Sequence, residues 1–205
     1  MSRIDTVEDI TRGAHALAAA DPAFAPLTTY VPPLRRRPSG FATLLQAIVG
    51  QQVSTASAAA IWARVEAAGL TEPEAVEAAG EAGLRSLGFS RPKIRYALAL
   101  ATARLDFDAL DRLEDEAVIA SLTALPGIGR WTAEIYALTA LGRADVFPAG
   151  DLALQEAARI LYQLDARPDE RELRQMALEW APWRAVAARL LWEHYRLSKQ
   201  REGIL

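Results

Sequence analysis

Leu-Pro-Gly-Ile-Gly-Arg-Trp-Thr-Ala, which spans residues 125–133, is the stretch that decides the fold of this chain. Two of its glycines, Gly127 and Gly129, permit the positive φ angles and close backbone approach that a tight turn between two helices requires. A helical pattern begins at Arg130, and the backbone N–H groups at the start of a helix are a natural anion site. The stretch predicts a helical hairpin that holds a phosphate, whereas the glycines alone would favour an ordinary glycine-rich turn.

A second helix is predicted to open at a single acidic residue, Asp151, directly after the loop Phe147-Pro148-Ala149-Gly150. An aspartate in this position commonly caps a helix by accepting hydrogen bonds from the N–H groups of the first turn. The positive end of the helix dipole also favours the ionised form of such a carboxylate. The cap is therefore compatible with a chemical role in which the carboxylate stabilises positive charge nearby.

The composition indicates a helical protein and excludes several kinds of chemistry. Apolar residues make up 51% of the 205 residues, and no long segment alternates polar and apolar residues as strands do. The chain contains no cysteine, which excludes disulfides, thiol catalysis and cysteine-ligated iron–sulfur clusters. Its two histidines, His15 and His194, lie far apart in the sequence, so we expect no zinc site.

The net charge of −3 is not the basic surface expected of a protein that coats nucleic acid. Nearly all of the positive charge is arginine, however, since Lys93 and Lys199 are the two lysines. Arginine is the better bidentate partner for phosphate, so localised binding to DNA remains open. The clusters at residues 35–37 and at Arg91, Lys93 and Arg95 could contact phosphates, but the interpretation we favour for each is a solvated charged face.

The chain is predicted to form one all-α domain, residues 1–205, with three parts. Residues 1–38 form an N-terminal helix and a proline-rich extended strap, residues 39–113 a helical lobe, and residues 114–205 a second lobe with the hairpin and Asp151. Ser39 and Ser90 are the expected caps of the helices that follow them. The apolar pattern from residue 41 onward is interrupted at residues 50–52, where we expect a break.

No segment of the sequence approaches the ~20 apolar residues of a membrane span. The first ten residues carry charges instead of the apolar core of a signal peptide. We therefore expect a soluble, intracellular protein.

The string at residues 125–133 resembles the signature of the helix–hairpin–helix DNA glycosylase superfamily, and residues 131–133 are similar to its DNA-3-methyladenine glycosylase II branch. Three further segments agree with this, at residues 48–54, 145–151 and 182–192, so the resemblance covers about residues 40–195. It implies a bilobal helical bundle with a cleft between two helical lobes. The longer members also carry an N-terminal β-sheet domain, for which this chain has no room, so it resembles a compact, helix-only member.

The resemblance implies a base excision repair enzyme whose partner is double-stranded DNA with damaged bases. It would flip an alkylated purine, such as 3-methyladenine or 7-methylguanine, out of the duplex and hydrolyse its N-glycosidic bond. Asp151 matches the family's catalytic aspartate. Members that also cleave the strand use a lysine just after the hairpin glycines, where this chain has Trp131, so we expect no lyase activity. A cytoplasmic, nucleoid-associated monomer that requires no cofactor fits this assignment.

The resemblance also assigns the groups that would surround a flipped base. Trp131 and Trp192 match residues that line the base pocket, and an electron-rich indole face suits a positively charged alkylated purine. Gln52 matches the wedge that fills the gap left in the duplex, which offsets part of the cost of extrusion. The other three tryptophans, at residues 62, 180 and 183, are predicted core residues.

The hairpin is expected to bind the DNA backbone rather than the bases. By resemblance, the binding segment comprises Gly127, Gly129, Arg130, Trp131 and Thr132. Family hairpins often hold a monovalent cation, Na⁺ or K⁺, on backbone carbonyls, and the matching positions are Thr123, Leu125 and Ile128.

Three alternatives remain open. The same fold could act on another lesion, such as uracil, hypoxanthine or an etheno adduct. A noncatalytic helix–hairpin–helix protein would bind DNA regardless of lesions and would be indifferent to Asp151→Asn. A helical interaction module would show no salt-dependent DNA binding at all.

Overall fold

Helices account for almost all of the regular structure. The computed structural model describes residues 2–199, and the protein is about 67% helical. Within that range, the extended pairing consists of one isolated antiparallel bridge between Arg3 and Arg143. The all-α prediction is therefore confirmed. None of the described helices is long and apolar enough to cross a membrane.

The first helix begins with a capping box. Thr6 caps the first helix, since its hydroxyl accepts the N–H of Asp9 at 3.2 Å while the Asp9 carboxylate accepts the N–H of Thr6 at 3.0 Å. The predicted break at residues 50–52 separates the second helix from the third. The α-helices of residues 2–199 are α1 (Val7–Ala20), α2 (Phe41–Gly50), α3 (Thr55–Ala67), α4 (Pro73–Ser86), α5 (Arg91–Thr102), α6 (Phe107–Arg112), α7 (Asp115–Thr123), α8 (Arg130–Thr139), α9 (Leu152–Leu161), α10 (Glu170–Met176) and α11 (Arg184–Lys199), with 3-10 segments at Pro22–Thr29 and Ala177–Trp180.

Local structure departs from the sequence prediction at three places. Ser39 does not cap α2, because the N-cap residue is Gly40 at a φ of +131°, and the Ser39 hydroxyl lies 3.0 Å from the Tyr136 hydroxyl instead. Ser90 occupies the N-cap position of α5 without a side-chain cap bond. The proline-rich segment is not extended throughout, because its first residues form the 3-10 segment that Pro22 starts.

The chain folds as two compact units whose limits differ from the predicted parts. The contiguous unit, residues 37–136, contains α2 to α7, the hairpin and most of α8. The composite unit joins the segment up to Arg36 with the segment from Ala137 onward, and contains α1 and α9 to α11. The sequence assigned the hairpin and Asp151 to one lobe, whereas the structure assigns the hairpin to the contiguous unit and Asp151 to the composite unit.

A buried arginine fixes the proline-rich strap within the composite unit. Arg189 is 2% exposed, and its guanidinium donates to the carbonyls of Leu34 and Leu138, both at 3.3 Å. Burial, and then the charges of two neighbouring arginines, lowers the pKa of Arg189 to about 10, so it stays protonated at neutral pH. The strap is thus held to α11 by contacts to main-chain carbonyls.

Arg36 is a structural residue as well. Its guanidinium donates to the carbonyls of Thr139 at 3.2 Å and Ala140 at 2.8 Å, and pairs with Asp5 at 3.2 Å. The acceptors lie at the end of α8, where carbonyls lack partners inside the helix. The interpretation of residues 35–37 as a solvated face is therefore wrong for Arg36.

Trp180 anchors the core of the composite unit. It is 2% exposed, and its ring meets Phe24 and Phe147 edge-on at centroid distances of 5.5 and 5.2 Å. Edge-on aromatic pairs at such distances add stability beyond the area they bury. Trp62 and Trp183 are only half-buried, so of the three tryptophans predicted for the core, Trp180 alone lies fully within it.

Helix α2 is central to the contiguous unit. It packs against α3 and α5, and burial of each large apolar side chain contributes about 1.5–3 kcal/mol. Because α5 packs on α2, residues near the start of α5 lie beside the loop that follows α2. The buried residues of α2 recur at helical spacing and are Phe41, Leu44, Leu45, Ile48 and Val49.

Candidate functional site

The predicted helical hairpin is formed by α7, the turn at residues 124–129 and α8. The turn is closed by the N–H of Ile128, which donates to the carbonyl of Leu125 at 3.1 Å, and Gly127 lies at a φ of +86°. The first bond inside α8 runs from the N–H of Ala133 to the carbonyl of Gly129 at 3.0 Å. The N–H groups of residues 130–132 therefore belong to the first turn of α8 and point toward its N-terminal end, as in helix-terminal phosphate sites.

The two hairpin glycines have different steric surroundings. A Cβ atom on Gly127 would overlap the ring and the Cβ atom of Tyr96, and the positive φ would strain any other residue there. Gly129 has open space around an added Cβ and no positive φ. The fold therefore requires glycine at residue 127, whereas neither φ nor packing requires it at residue 129.

A groove of about 670 Å³ lies along the hairpin turn. Lys93 lines it but is only 8% exposed, and its Nζ atom donates to the carbonyl of Val49 at 2.7 Å. Burial lowers the pKa of Lys93. Arg91 and Arg95 are exposed, so within this cluster the solvated-face interpretation is wrong for Lys93 alone. The groove is lined by Gln51, Gln52, Ser90, Pro92, Lys93, Tyr96 and residues 123–129.

The side chains that begin α8 face different surroundings. The guanidinium of Arg130 pairs with Glu134 at 2.9 Å and with Glu116 at 2.7 Å. Thr132 is 6% exposed. A phosphate contact by Thr132 would thus be made through its backbone N–H. Trp131 is 37% exposed, so its ring is accessible at the first turn.

Asp151 is the N-cap of α9, as predicted. Its Oδ1 atom accepts the N–H groups of Ala153 at 2.9 Å and Leu154 at 3.1 Å. The residue is 5% exposed, while the adjacent Leu152 is 61% exposed. The amide of Gln155 donates to the carbonyl of Ala149 at 3.0 Å and so fixes the preceding loop. The carboxylate is held in one orientation, next to an exposed apolar side chain.

Trp192 is buried beneath the strap. It is 4% exposed, and its indole Nε1 atom has no hydrogen-bond partner among residues 2–199. A buried N–H donor without an acceptor is unfavourable, so this atom is suited to a ligand acceptor. A small cavity beside it is lined by Pro32, Pro33, Arg35, Arg189 and Glu193. The two predicted pocket tryptophans thus differ, with Trp131 accessible in the contiguous unit and Trp192 covered in the composite unit.

Gln52 projects from the loop between α2 and α3. It is exposed and lies at a φ of +55°, in the left-handed region that few residues other than glycine occupy. The preceding Gln51 is half-buried, and its Nε2 atom donates to the carbonyl of Gly127 at 2.8 Å. The two consecutive glutamines are therefore not equivalent.

Comparison with known proteins identifies the family. Residues 45–182 match the model of the HhH-GPD superfamily of base excision DNA repair proteins. The chain belongs to this superfamily. It is 31% identical to DNA-3-methyladenine glycosylase 1 of Schizosaccharomyces pombe over 164 residues, which cover 76% of this chain and 72% of that protein. It spans about half the length of two other curated relatives.

Solved structures extend the similarity to nearly the whole chain of this HhH-GPD protein. The DNA-3-methyladenine glycosidase of Bacillus halodurans matches with a TM-score of 0.81 and 31% identity, covering 98% of this chain and 95% of that one. The 3-methyladenine DNA glycosylase of S. pombe, in complex with abasic DNA, matches with a TM-score of 0.77 and 28% identity, covering 92% and 97%. The compact, helical architecture therefore has solved counterparts of similar length.

The contacts of three polar residues of this HhH-GPD protein were not predicted from its sequence. Lys93 carried one signal, as a lone lysine among arginines. Gln51 was masked by the adjacent Gln52, and Gln155 looked like any polar residue on a helix. Each makes its contact with a backbone carbonyl distant in sequence or outside its helix, which side-chain patterns do not reveal.

His194, two residues after Trp192, should make the stability of this HhH-GPD protein depend on pH. Its Nδ1 atom lies 3.4 Å from the Tyr30 hydroxyl, its Nε2 atom is buried without a partner among residues 2–199, and burial lowers its pKa. In the unfolded chain the His194 imidazole takes up a proton near pH 6.5, whereas in the folded chain it does so only at a lower pH. Its contribution to stability is present above about pH 6.5 and is lost as the pH falls through the lowered pKa.

Urea unfolding between pH 8 and pH 5 measures this contribution. The unfolding free energy of the wild type should fall with decreasing pH more steeply than that of His194→Gln, with a difference of at most about 1.4 kcal/mol per pH unit, the limit for one proton. Parallel curves for the two proteins would contradict the assignment. His15→Gln is the matched control, since that histidine is exposed.

Proposed function

We propose that the protein is a monofunctional DNA glycosylase that releases alkylated purines, including 3-methyladenine and 7-methylguanine, from double-stranded DNA. The observation that carries the proposal is the match of nearly the whole chain to a solved 3-methyladenine glycosidase, together with the fixed carboxylate of Asp151. The protein would act as a monomer in base excision repair, at the nucleoid. A similar protein solved with abasic DNA, the kind of site that base release leaves, supports this partner.

Asp151 would supply the chemistry at the sugar. When the C1′–N bond breaks, its electron pair leaves with the base and positive charge develops on the deoxyribose ring. A preorganised carboxylate stabilises that charge without reorganising, and the cap bonds to Ala153 and Leu154 provide the preorganisation. The carboxylate would also orient or deprotonate the water that attacks C1′.

The tryptophans would hold the extruded base. An alkylated purine is cationic and already a good leaving group, so binding to an indole face stabilises it while little acid catalysis is needed. Trp131 offers an accessible ring. Trp192 offers an indole N–H that has no acceptor among residues 2–199, and an acceptor atom of the base would satisfy it.

The hairpin and the wedge loop, which is the segment between α2 and α3 that carries Gln52, would hold the DNA. The N–H groups that begin α8 suit a phosphate, and Gln52 would fill the gap that the extruded nucleotide leaves. The carbonyls of Thr123, Leu125 and Ile128 would hold Na⁺ or K⁺, whose charge would draw the DNA phosphate to the turn. Those three residues line one groove, which agrees with a shared ligand.

Strand cleavage is not expected, because it requires an amine that forms a Schiff base with the sugar. Trp131 occupies the position just after the hairpin where such an amine would lie. The ammonium group of Lys93 is nearby in the groove, but it is 8% exposed and donates to the carbonyl of Val49. A buried and engaged lysine is a poor nucleophile for a sugar.

Base release from methylated duplex DNA tests the proposal. The wild type should release 3-methyladenine and 7-methylguanine while strands stay intact until alkali is added. Clear duplex binding without release of either purine would overturn the alkylpurine assignment. Duplexes with uracil, hypoxanthine or an etheno adduct would then separate another lesion from a noncatalytic role. Strand breaks before alkali would overturn the monofunctional assignment.

Trp131→Leu should selectively impair release of cationic bases. Loss of a desolvated cation–π contact of about 2 kcal/mol corresponds to about a 30-fold lower kcat/KM for 7-methylguanine. Trp131→Phe keeps a π face and should retain most of the activity. Equal losses by both variants, or an equal loss on neutral hypoxanthine, would contradict a cation–π role.

A further inference from the structure

The loop that carries the proposed wedge adopts a conformation that requires external support. Gln52 lies at a φ of +55°, which is costly for a residue with a Cβ atom. Both Gln52 and Val53 are exposed, so burial of their side chains does not hold the turn. The contacts that fix it must come from the residues on either side.

Gln51 ties the wedge loop directly to the hairpin. Its Nε2 atom donates to the carbonyl of Gly127 at 2.8 Å, while its backbone N–H donates to the carbonyl of Ile48 at 3.3 Å. Gly127 is the left-handed residue of the turn proposed to hold phosphate. One side chain therefore links the residue before the wedge to the phosphate-binding element.

Lys93 supports the same loop from α5. Its Nζ atom donates at 2.7 Å to the carbonyl of Val49, which lies in the last turn of α2 where carbonyls lack helical partners. A cation at this end of a helix is also favoured by the helix dipole. Burial lowers the pKa of Lys93, and the bond to the carbonyl of Val49 offsets part of the cost of desolvating the ammonium group. The contact fixes the point from which the wedge loop departs.

Helix α5 contacts the hairpin as well. Tyr96 follows Lys93 by three residues and so lies on the same face of α5. Its ring lies against Gly127, where an added Cβ would overlap it. The wedge loop, the hairpin and α5 are thus joined in pairs, through Gln51 to Gly127, Lys93 to Val49 and Tyr96 to Gly127.

We propose that Gln51 and Lys93 are positioning residues that set Gln52 in register with the phosphate-binding hairpin. Seating the hairpin on the DNA backbone then places Gln52 at the base stack, so phosphate binding and base extrusion are coupled. Neither positioning side chain needs to touch the DNA. The inference rests on the proposed function for the roles of Gln52 and the hairpin.

A double-mutant cycle with Gln52→Ala tests the coupling. The probe is a duplex with 2-aminopurine beside an abasic-site analogue, whose fluorescence reports unstacking, and Kd is measured separately for an undamaged duplex. Gln51→Ala and Lys93→Met should each lower the equilibrium constant for unstacking by about tenfold, as expected for residues in one network. Kd for the undamaged duplex should stay nearly unchanged. In the Gln52→Ala background, neither substitution should have a further effect.

Two variants separate positioning from loss of charge or folding. Arg95→Met removes an exposed cation from the same helix and should weaken salt-dependent binding to any duplex. Its effect on unstacking should be additive with the effect of Gln52→Ala. Gln51→Glu keeps the shape of Gln51 but replaces the Nε2 donor with a carboxylate oxygen, which is an acceptor. It should therefore lower unstacking as much as Gln51→Ala does. Thermal unfolding of each variant confirms that it is folded under the assay conditions.

The inference would be overturned if Gln51→Ala or Lys93→Met lowered the equilibrium constant for unstacking equally with and without Gln52→Ala. It would also be overturned if either substitution weakened affinity for the undamaged duplex as much as it lowered unstacking. Either result would make Gln51 and Lys93 simple supports of the hairpin. The outcome is independent of base release. If the effects on unstacking are non-additive but no alkylated purine is released, the proposed function alone is refuted. If alkylated purines are released normally but the effects are additive, this inference alone is refuted.

Discussion

Asp151→Asn should lower the single-turnover rate of alkylpurine release at least about 10²–10³-fold, the loss seen when one preorganised electrostatic contact is removed from a transition state. The amide oxygen of asparagine can still accept the N–H groups of Ala153 and Leu154, which now bond to Oδ1. Asparagine is as good an N-cap as aspartate. The substitution therefore removes the negative charge and leaves the local fold in place.

The matched control is Asp151→Ala, which removes both the charge and the cap. It should lose activity to a similar extent and, in addition, destabilise the protein by about 1 kcal/mol. Release assays on 7-methylguanine DNA together with urea unfolding separate the two effects. Full activity of Asp151→Asn would contradict the catalytic role and would favour a noncatalytic DNA-binding protein.

Gly127→Ala should be the most destabilising substitution in the hairpin, at about 2–4 kcal/mol from the positive φ and the overlap with Tyr96 combined. Because the turn must shift to relieve the overlap, affinity for undamaged duplex DNA should fall as well. Urea unfolding and fluorescence anisotropy with a short duplex measure the two losses.

Gly129→Ala provides the control two residues away. An added Cβ meets nothing within 4 Å there and the φ angle is not positive, so stability should change by less than about 1 kcal/mol. Any loss of DNA affinity in Gly129→Ala would then reflect blocked approach of a phosphate. Equal destabilisation by both substitutions would contradict the steric difference between the two glycines.

The parts of the structure that the sequence predicts are those set by local chemistry. Glycine and proline positions place the hairpin turn and the break after α2, and the Asp151 cap follows from one acid before a helical pattern. No sequence pattern marks helix α6, because its six residues are too short to show a helical period, although Asp106 caps it through the N–H of Ala109.

The parts that the sequence did not predict depend on distant contacts. Lys93 looks solvated until α5 packs on α2 and brings its ammonium group to the carbonyl of Val49. Trp192 looks like an open pocket residue until the strap covers it. In both cases the deciding partner lies more than 40 residues away, where no motif links the two positions.

The order in which the two units occur along the chain has a consequence for synthesis. The contiguous unit, residues 37–136, can complete its core as soon as it has left the ribosome. The segment up to Arg36 emerges first but must wait, because the carbonyls that Arg36 binds and the guanidinium of Arg189 that holds Leu34 are made only after the contiguous unit. Nascent chains stalled at a point where residue 136 has just emerged from the ribosome should therefore protect the hairpin from proteolysis while leaving the proline-rich strap open to cleavage.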